Sequence, residues 1–276
     1  MKTVNLSVCQ MMVVENKEDN LKKAESMIRR SVLENKANLV VLPEIFNGPY
    51  SIEAMQATAE PEGGPTTQLL SRLAAELNIV VVGGSIAEAA DDRIYNTAFI
   101  YNEVGERVGR HRKMHLFDVN IVGGVSFQES SIVAPGNDVT VVETSLGKIG
   151  VAICYDMRFP ELMRLMTLQG AEMIVVPAAF NTTTGPAHWK DTIKMRAVDN
   201  QVFFAAASPA RNLASDYHAY GFSQVVDPWG TVLAETDETE GIITATLNPQ
   251  RLTAVREQLP LLKHRRTDLY ELKECQ

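Results

Sequence analysis

At 276 residues, with 45% hydrophobic and 22% charged positions, the chain can bury roughly three quarters of its surface in one large domain, which excludes a disordered or fibrous class. A net charge of −8 disfavours nucleic acid and anionic membranes as partners, since both demand a basic face. No apolar run approaches the ~20 residues of a membrane span, residues 1–5 carry no apolar leader, and three scattered cysteines (Cys9, Cys154, Cys275) suit a reducing compartment, so a cytoplasmic location is expected.

In chain order, residues 4–12 read as a strand and 18–34 as a helix, where Leu21, Ala24, Met27, Ile28 and Val32 recur at helical spacing. Residues 39–42 form a short buried strand that stops at Pro43-Glu44. A Gly63-Gly64-Pro65 link leads to a helix over 66–77, and 79–86 and 93–102 are further strands. The second half repeats this order. Residues 148–154 form a β-branched strand ending on Cys154, followed by a helix over 160–169 and a strand over 173–176 stopping at Pro177. A loop over 181–186, a helix over 187–200 and strands over 202–207 and 221–226 complete the match. Even the wording recurs, Ala37-Asn-Leu-Val-Val-Leu-Pro43 against Ala171-Glu-Met-Ile-Val-Val-Pro177. Such a repeat predicts two packed sheets with helices on their outer faces, a layered α/β architecture; two unrelated βαβ runs are the alternative. The tail from Asn248 onward, with Leu252, Val255, Leu259, Leu261 and Leu262 before a basic Lys263-His-Arg-Arg266, either packs back on the domain or reaches a partner subunit.

Glu44 and Cys154 each follow a central strand of their half, so they can meet at one rim, where open α/β sheets place their chemistry. A cysteine nucleophile needs a base, which a partly desolvated carboxylate supplies, and positive charge or N–H donors for the oxyanion. Lys113 and the Tyr155 backbone N–H are candidates for the latter. Singly, each of these residues is a weak signal. His111 and His115 are four apart, the spacing of metal ligands on one helix face. No third ligand stands at a confirming spacing and Arg112 and Lys113 oppose a cation, so no metal is expected. Cys9 reads as core, Cys275 as idle, and the Gly83-Gly84 and Gly123-Gly124 pairs as turns or close backbone approaches.

Three segments in order, Val40-Val-Leu-Pro-Glu44-Ile-Phe, Arg112-Lys113-Met-His-Leu-Phe and Gly150-Val-Ala-Ile-Cys154-Tyr-Asp-Met-Arg-Phe-Pro-Glu161, resemble the nitrilase, or carbon–nitrogen hydrolase, superfamily. The resemblance implies a Glu44–Lys113–Cys154 triad, a four-layer αββα sandwich of the nitrilase type, no metal or organic cofactor, and a homodimer or higher homo-oligomer. Phe127-Gln-Glu129-Ser resembles the family's second glutamate, which implies that Glu129 orients Lys113 or the leaving nitrogen. The stretches from Phe180 to Trp189 and from Arg196 to Arg211 are most similar to omega-amidases, which hydrolyse the terminal amide of 2-oxoglutaramate or 2-oxosuccinamate. Deaminated-glutathione amidases share part of this wording and remain an alternative, with N-carbamoyl amidases, nitrilases proper and a non-catalytic binding subunit behind them. The intact Glu, Lys and Cys count against the last. Val122-Gly-Gly-Val-Ser126 departs from both amidase groups at the expected pocket mouth. Arg158, four residues past the nucleophile, is the candidate clamp for a substrate carboxylate, against a structural salt bridge. Tyr155, Phe180 and Thr184 are expected to line the pocket with it.

Overall fold

The computed structural model describes residues 1–275. The first half runs β1 (Val4–Gln10), α1 (Lys17–Asn35), β2 (Leu39–Val41), α2 (Ile52–Thr58), α3 (Pro65–Leu77), β3 (Val80–Val82), β4 (Ile86–Ala90), β5 (Arg93–Tyr101) and β6 (Arg107–Arg112). A small hairpin, β7 (Asp118–Asn120) and β8 (Ser126–Gln128), leads to β9 (Thr140–Thr144) and β10 (Gly147–Val151). Then come α4 (Pro160–Leu168), β11 (Met173–Pro177), α5 (Gly185–Asn200), β12 (Phe203–Ala207), β13 (Gln224–Val226), β14 (Val232–Glu235), β15 (Gly241–Leu247) and α6 (Pro249–Gln258).

The first sheet has the order β15-β1-β2-β3-β5-β4, with β6 also paired to β5; the second runs β14-β13-β12-β11-β10-β9. At the centre of each, three strands are parallel: β1, β2 and β3 in one, β10, β11 and β12 in the other. The pleat explains why these strands read as continuous apolar runs. Leu39 and Val41 face the layer between the sheets, with Ile149 and Val151 of β10. Val40 and Leu42 face the opposite way, onto Ala24, Met27 and Ile28 of α1 and Leu70, Leu73 and Ala74 of α3. With α4 and α5 covering the second sheet, the four-layer αββα sandwich expected from the repeat is complete.

Two features depart from the sequence reading, and a third bears on a point it left open. The strand expected over 79–86 is two strands, because Gly84 takes a left-handed turn (φ 59) between them. β15 leaves the second half and pairs antiparallel with β1, from Val4 opposite Leu247 to Gln10 opposite Gly241, so the chain closes back on its first sheet. After it, α6 buries Leu252 and Val255 on the second half, while Arg256 donates to the carbonyls of Gln201 (3.0 Å) and Ala171 (3.2 Å). This part of the tail packs in cis, and Leu259, Leu269 and Tyr270 beyond it are exposed.

Candidate active site

Each half delivers its key residue just past a strand. β2 ends at Val41, and Pro43, which has no N–H, cannot extend the ladder. Glu44 follows, with Ile45 held at φ 47 by the Ser85 hydroxyl, which accepts from its N–H (3.0 Å). A Cβ on Gly84 would collide with the Pro43 carbonyl, so the glycine that splits the strand also seats the Glu44 turn. In the second half β10 ends at Val151 rather than at Cys154. The Asp156 carboxylate captures the Ile153 N–H (3.0 Å), and Cys154 opens a one-turn 3-10 helix, Cys154–Arg158, at φ 46. A positive φ costs a non-glycine residue on the order of 1–3 kcal/mol. Here that strain falls on the neighbour of the candidate base and on the candidate nucleophile itself.

Lys113, one residue beyond β6, joins the halves. Its Nζ donates to Glu44 Oε1 (2.9 Å) and to Glu129 Oε2 (2.8 Å) and Oε1 (3.1 Å), with Tyr50 Oη at 3.4 Å. Asn96 Nδ2 bridges Glu44 Oε1 (2.9 Å) and Glu129 Oε1 (3.1 Å), and the Phe117 N–H donates to Glu129 Oε2 (2.7 Å). All these side chains are buried. Glu44 Oε2 has no hydrogen-bond partner among the described residues, and the Glu44 charge bears on the Cys154 thiol.

Burial pushes the Glu44 carboxyl above its usual range, with the Glu129 charge adding and Lys113 opposing. Burial and the Glu44 charge push the Cys154 thiol well up. Burial works against the charge on Lys113, but Glu129 and Glu44 outweigh it and hold the ammonium well above the usual lysine range. The arrangement at rest is a neutral thiol beside a carboxylate of raised proton affinity, with a fixed cation behind both.

Cys154, Tyr155, Arg158, Phe180 and Thr184 line one narrow pocket together. Phe180 lies under the Arg158 guanidinium (4.4 Å from the ring centre), and Thr184 caps α5, its N–H donating to Asn181 Oδ1 (2.9 Å). Of the two roles open to Arg158, the salt bridge is absent among the described residues: Nη1 donates to His188 Nδ1 (3.1 Å), and no carboxylate pairs with it. Val125 and Ser126 line a second, more open cavity that shares Tyr50 and Tyr217 with the first, which places the hairpin loop beside the mouth.

Several residues of this constellation went unread. Tyr50 and Tyr217 carry no signal in the sequence, but Asn96, polar in the middle of an apolar strand, is one in hindsight. His111 and His115 do not share a helix face, because β6 ends at Arg112 between them. They converge instead on a carboxylate that spacing alone does not reveal, Asp156, with Nε2 of His111 at 3.0 Å and Nδ1 of His115 at 2.8 Å. Among the described residues no group of three such side chains is arranged to hold a metal.

The family model described as carbon-nitrogen hydrolase matches residues 5–257. The chain belongs to the carbon–nitrogen hydrolase family. Omega-amidase NIT3 of Saccharomyces cerevisiae is 48% identical over 92% of this chain and 90% of its own, and omega-amidase NIT2 of Mus musculus is 43% identical over 99% of both. Among solved structures, Saccharomyces cerevisiae Nit3, described as a member of branch 10 of the nitrilase superfamily, superposes with a TM-score of 0.88 at 43% identity. That match covers 96% of this chain and 97% of the other.

Proposed function

We propose that the protein is an omega-amidase, hydrolysing the terminal amide of a short 2-oxo dicarboxylate monoamide, 2-oxoglutaramate or 2-oxosuccinamate, to the acid and ammonia. The observation that carries this reading is the Arg158 guanidinium, which lines the same pocket as Cys154 and pairs with no carboxylate among the described residues. A planar fork left unpaired suits a bidentate substrate carboxylate. The names of the yeast and mouse relatives support the same reading.

In the proposed mechanism Glu44 accepts the Cys154 thiol proton as sulfur attacks the amide carbon. Lys113 and the Tyr155 N–H stabilise the oxyanion, and Glu129 holds Lys113 in place. The tetrahedral adduct collapses as Glu44 returns its proton to the departing nitrogen, releasing ammonia and leaving a thioester. Glu44 then takes a proton from water, hydroxide adds to the thioester carbon, and the carboxylic acid leaves as sulfur regains its proton. These steps balance with side chains and water alone. The reading extends to a cytoplasmic homo-oligomer, supported by the free Cys9 and Cys154 and by exposed Trp229, Leu259, Leu269 and Tyr270; light scattering tests the assembly. The decisive assay compares ammonia release from 2-oxoglutaramate, 2-oxosuccinamate, deaminated glutathione, an N-carbamoyl amine and a simple nitrile. The 2-oxo monoamides are expected to be fastest, and a higher kcat/KM on any of the others overturns the proposal.

A further inference from the structure

Asp156 sits two residues past Cys154, is buried, and touches neither the thiol nor the Glu44–Lys113–Glu129 cluster through a hydrogen bond among the described residues. Its carboxylate is nevertheless saturated. Oδ2 accepts from the Ile153 N–H (3.0 Å) and His111 Nε2 (3.0 Å), and Oδ1 accepts from the His115 N–H (2.9 Å) and His115 Nδ1 (2.8 Å). The register of these partners is the informative part. His111 and His115 lie two residues before and two after Lys113, while Ile153 and Asp156 bracket Cys154. One carboxylate therefore joins the Lys113 segment, which leaves the first sheet at β6, to the Cys154 turn, which leaves the second at β10. Both rings are fixed in turn: Thr140 Oγ1 lies 3.0 Å from His111 Nδ1, and His115 stacks on Phe159 at 3.6 Å and 11°.

We propose that His111, Asp156 and His115 form a clasp across the two sheets that sets the position of the Lys113 ammonium relative to the Cys154 thiol, making all three positioning residues for the reaction. The inference rests on Cys154 and Lys113 acting as described above. A fixed cation stabilises an oxyanion only where the oxyanion forms, and a misplacement of about 1 Å can cost on the order of 100-fold in rate. Burying an ionised carboxylate is expensive unless its acceptors are filled, and four donors from two sheets fill these. The clasp predicts a hydrogen-bond requirement rather than a requirement for imidazole.

The test uses two pairs of variants, His115→Leu with His115→Asn and His111→Leu with His111→Gln, because Asn places a donor where Nδ1 stood and Gln one where Nε2 stood. Each is assayed for steady-state ammonia release and for melting temperature. The Leu variants are expected to lose about 10- to 100-fold in kcat with KM within about 2-fold, and the Asn and Gln variants to recover to within about 3-fold of wild type. His115 is partly exposed, so its pair decides the matter if His111→Leu does not fold. A His115→Leu enzyme with normal kcat, a change confined to KM, or an Asn variant no better than Leu overturns the clasp. Cys154→Ala in the same assay separates the two ideas. Retained turnover there would sink the mechanism itself, whereas a dead Cys154→Ala beside a normal His115→Leu sinks only the clasp.

Discussion

Two clusters in this protein are built from the same kinds of charge and reach opposite outcomes. On the outer face, Arg29 bridges Glu25 (2.7 Å) and Glu76 (2.7 Å) while Arg72 bridges Glu76 (3.0 Å) and Glu25 (3.1 Å), closing a ring between α1 and α3. At the rim of the sandwich, Lys113 alone serves Glu44 (2.9 Å) and Glu129 (2.8 Å), with no side chain exposed. In the ring, slight burial opposes ionisation of Glu25 but hydrogen bonds from Arg29 and Arg72 prevail, and the same two arginines hold Glu76 below the usual carboxylate range. In the buried cluster, Glu44 is pushed above it. The difference is one of solvent and charge count. Two cations for two acids in water satisfy both acids, whereas one cation for two acids without water leaves one carboxylate seeking a proton, as a general base must.

The sharpest way to break this contrast is to remove the thiol or the base. Cys154→Ala and Glu44→Gln should each lower ammonia release by roughly 10⁴-fold or more without unfolding the protein, since one thiol and one carboxylate serve both acylation and deacylation. Cys9→Ala is the control: burial pushes that thiol up to about 12, and among the described residues its side chain hydrogen-bonds Ser31 and no catalytic candidate, so most activity should remain. Comparable losses from Cys9→Ala and Cys154→Ala, with intact circular dichroism, would count against the assignment.

Lys113→Met attacks the cluster through its cation. It leaves two buried carboxylates facing one another and should destabilise the fold by about 3–5 kcal/mol, besides abolishing turnover. The direction with pH is distinctive. One carboxyl in the mutant is driven to hold a proton in the folded state that it does not hold unfolded, so the native state binds more protons and stability rises as pH falls. Urea midpoints at about pH 5.5 and 8 measure this, and a mutant that is least stable at the lower pH contradicts it.

That cluster was legible in the sequence only where its residues lay in contiguous motifs. Glu44 and Cys154 each follow an apolar run, Lys113 follows a polar strand and stands out only within its motif, and Glu129 was reached by resemblance alone, since a 3-10 turn after a short hairpin strand leaves no periodicity. The two-sheet fold was readable because parallel strands buried on both sides must be apolar throughout. Tyr50 was not readable, and Asn96 stood out only as a polar residue in its strand, because their roles exist only once β5 and the Glu44 turn are brought together. The partner of the histidine pair was hidden for a related reason. A spacing of four suggests one face of a helix, but in a chain leaving a strand it marks two ends of a loop that can close on a third segment.

Arg158 is an intermediate case, a half-buried cation with no acid paired to it among the described residues. Burial lowers its proton affinity, yet a guanidinium stays charged at any working pH. Arg158→Met should cost about 30- to 150-fold in kcat/KM on 2-oxoglutaramate, roughly 2–3 kcal/mol of transition-state binding. The same variant should lose little on a matched amide lacking the carboxylate, because the two changes remove one interaction. Fully additive losses would mean that Arg158 never meets the substrate carboxylate.

Glu129→Gln should have a smaller effect of a different kind. The Glu129 charge is one of the forces raising Glu44, so removing it lowers the Glu44 carboxyl toward its ordinary range. Glu44 must be ionised to take the thiol proton, so activity falls on the acid side as Glu44 protonates. In wild type the acid limb of kcat/KM should lie above the usual glutamate value of about 4.3, and in Glu129→Gln it should move to lower pH. A limb that stays in place or moves upward would show that another group sets it.

The smallest effect should come from the ring on the surface, where the contrast predicts almost nothing. Arg29 and Arg72 are each about a third to a half exposed, so their pairs with Glu25 and Glu76 sit in high dielectric and are screened by salt. The double variant Arg29→Ala, Arg72→Ala should leave kcat and KM unchanged and lower the melting temperature by no more than about 2–4 °C at low salt. At about 0.5 M salt the difference should shrink further, since the Debye length then falls to a few ångströms. Acid should remove it as well. The folded-state carboxyls of Glu25 and Glu76 lie below their unfolded values, so the stability they contribute is present above about pH 4.3 and is lost as pH falls through the lowered folded values. A loss that exceeds this bound, survives salt or reaches kcat would mean that the ring couples α1 and α3 to the site. Charge count and solvent would then not suffice to separate the two clusters.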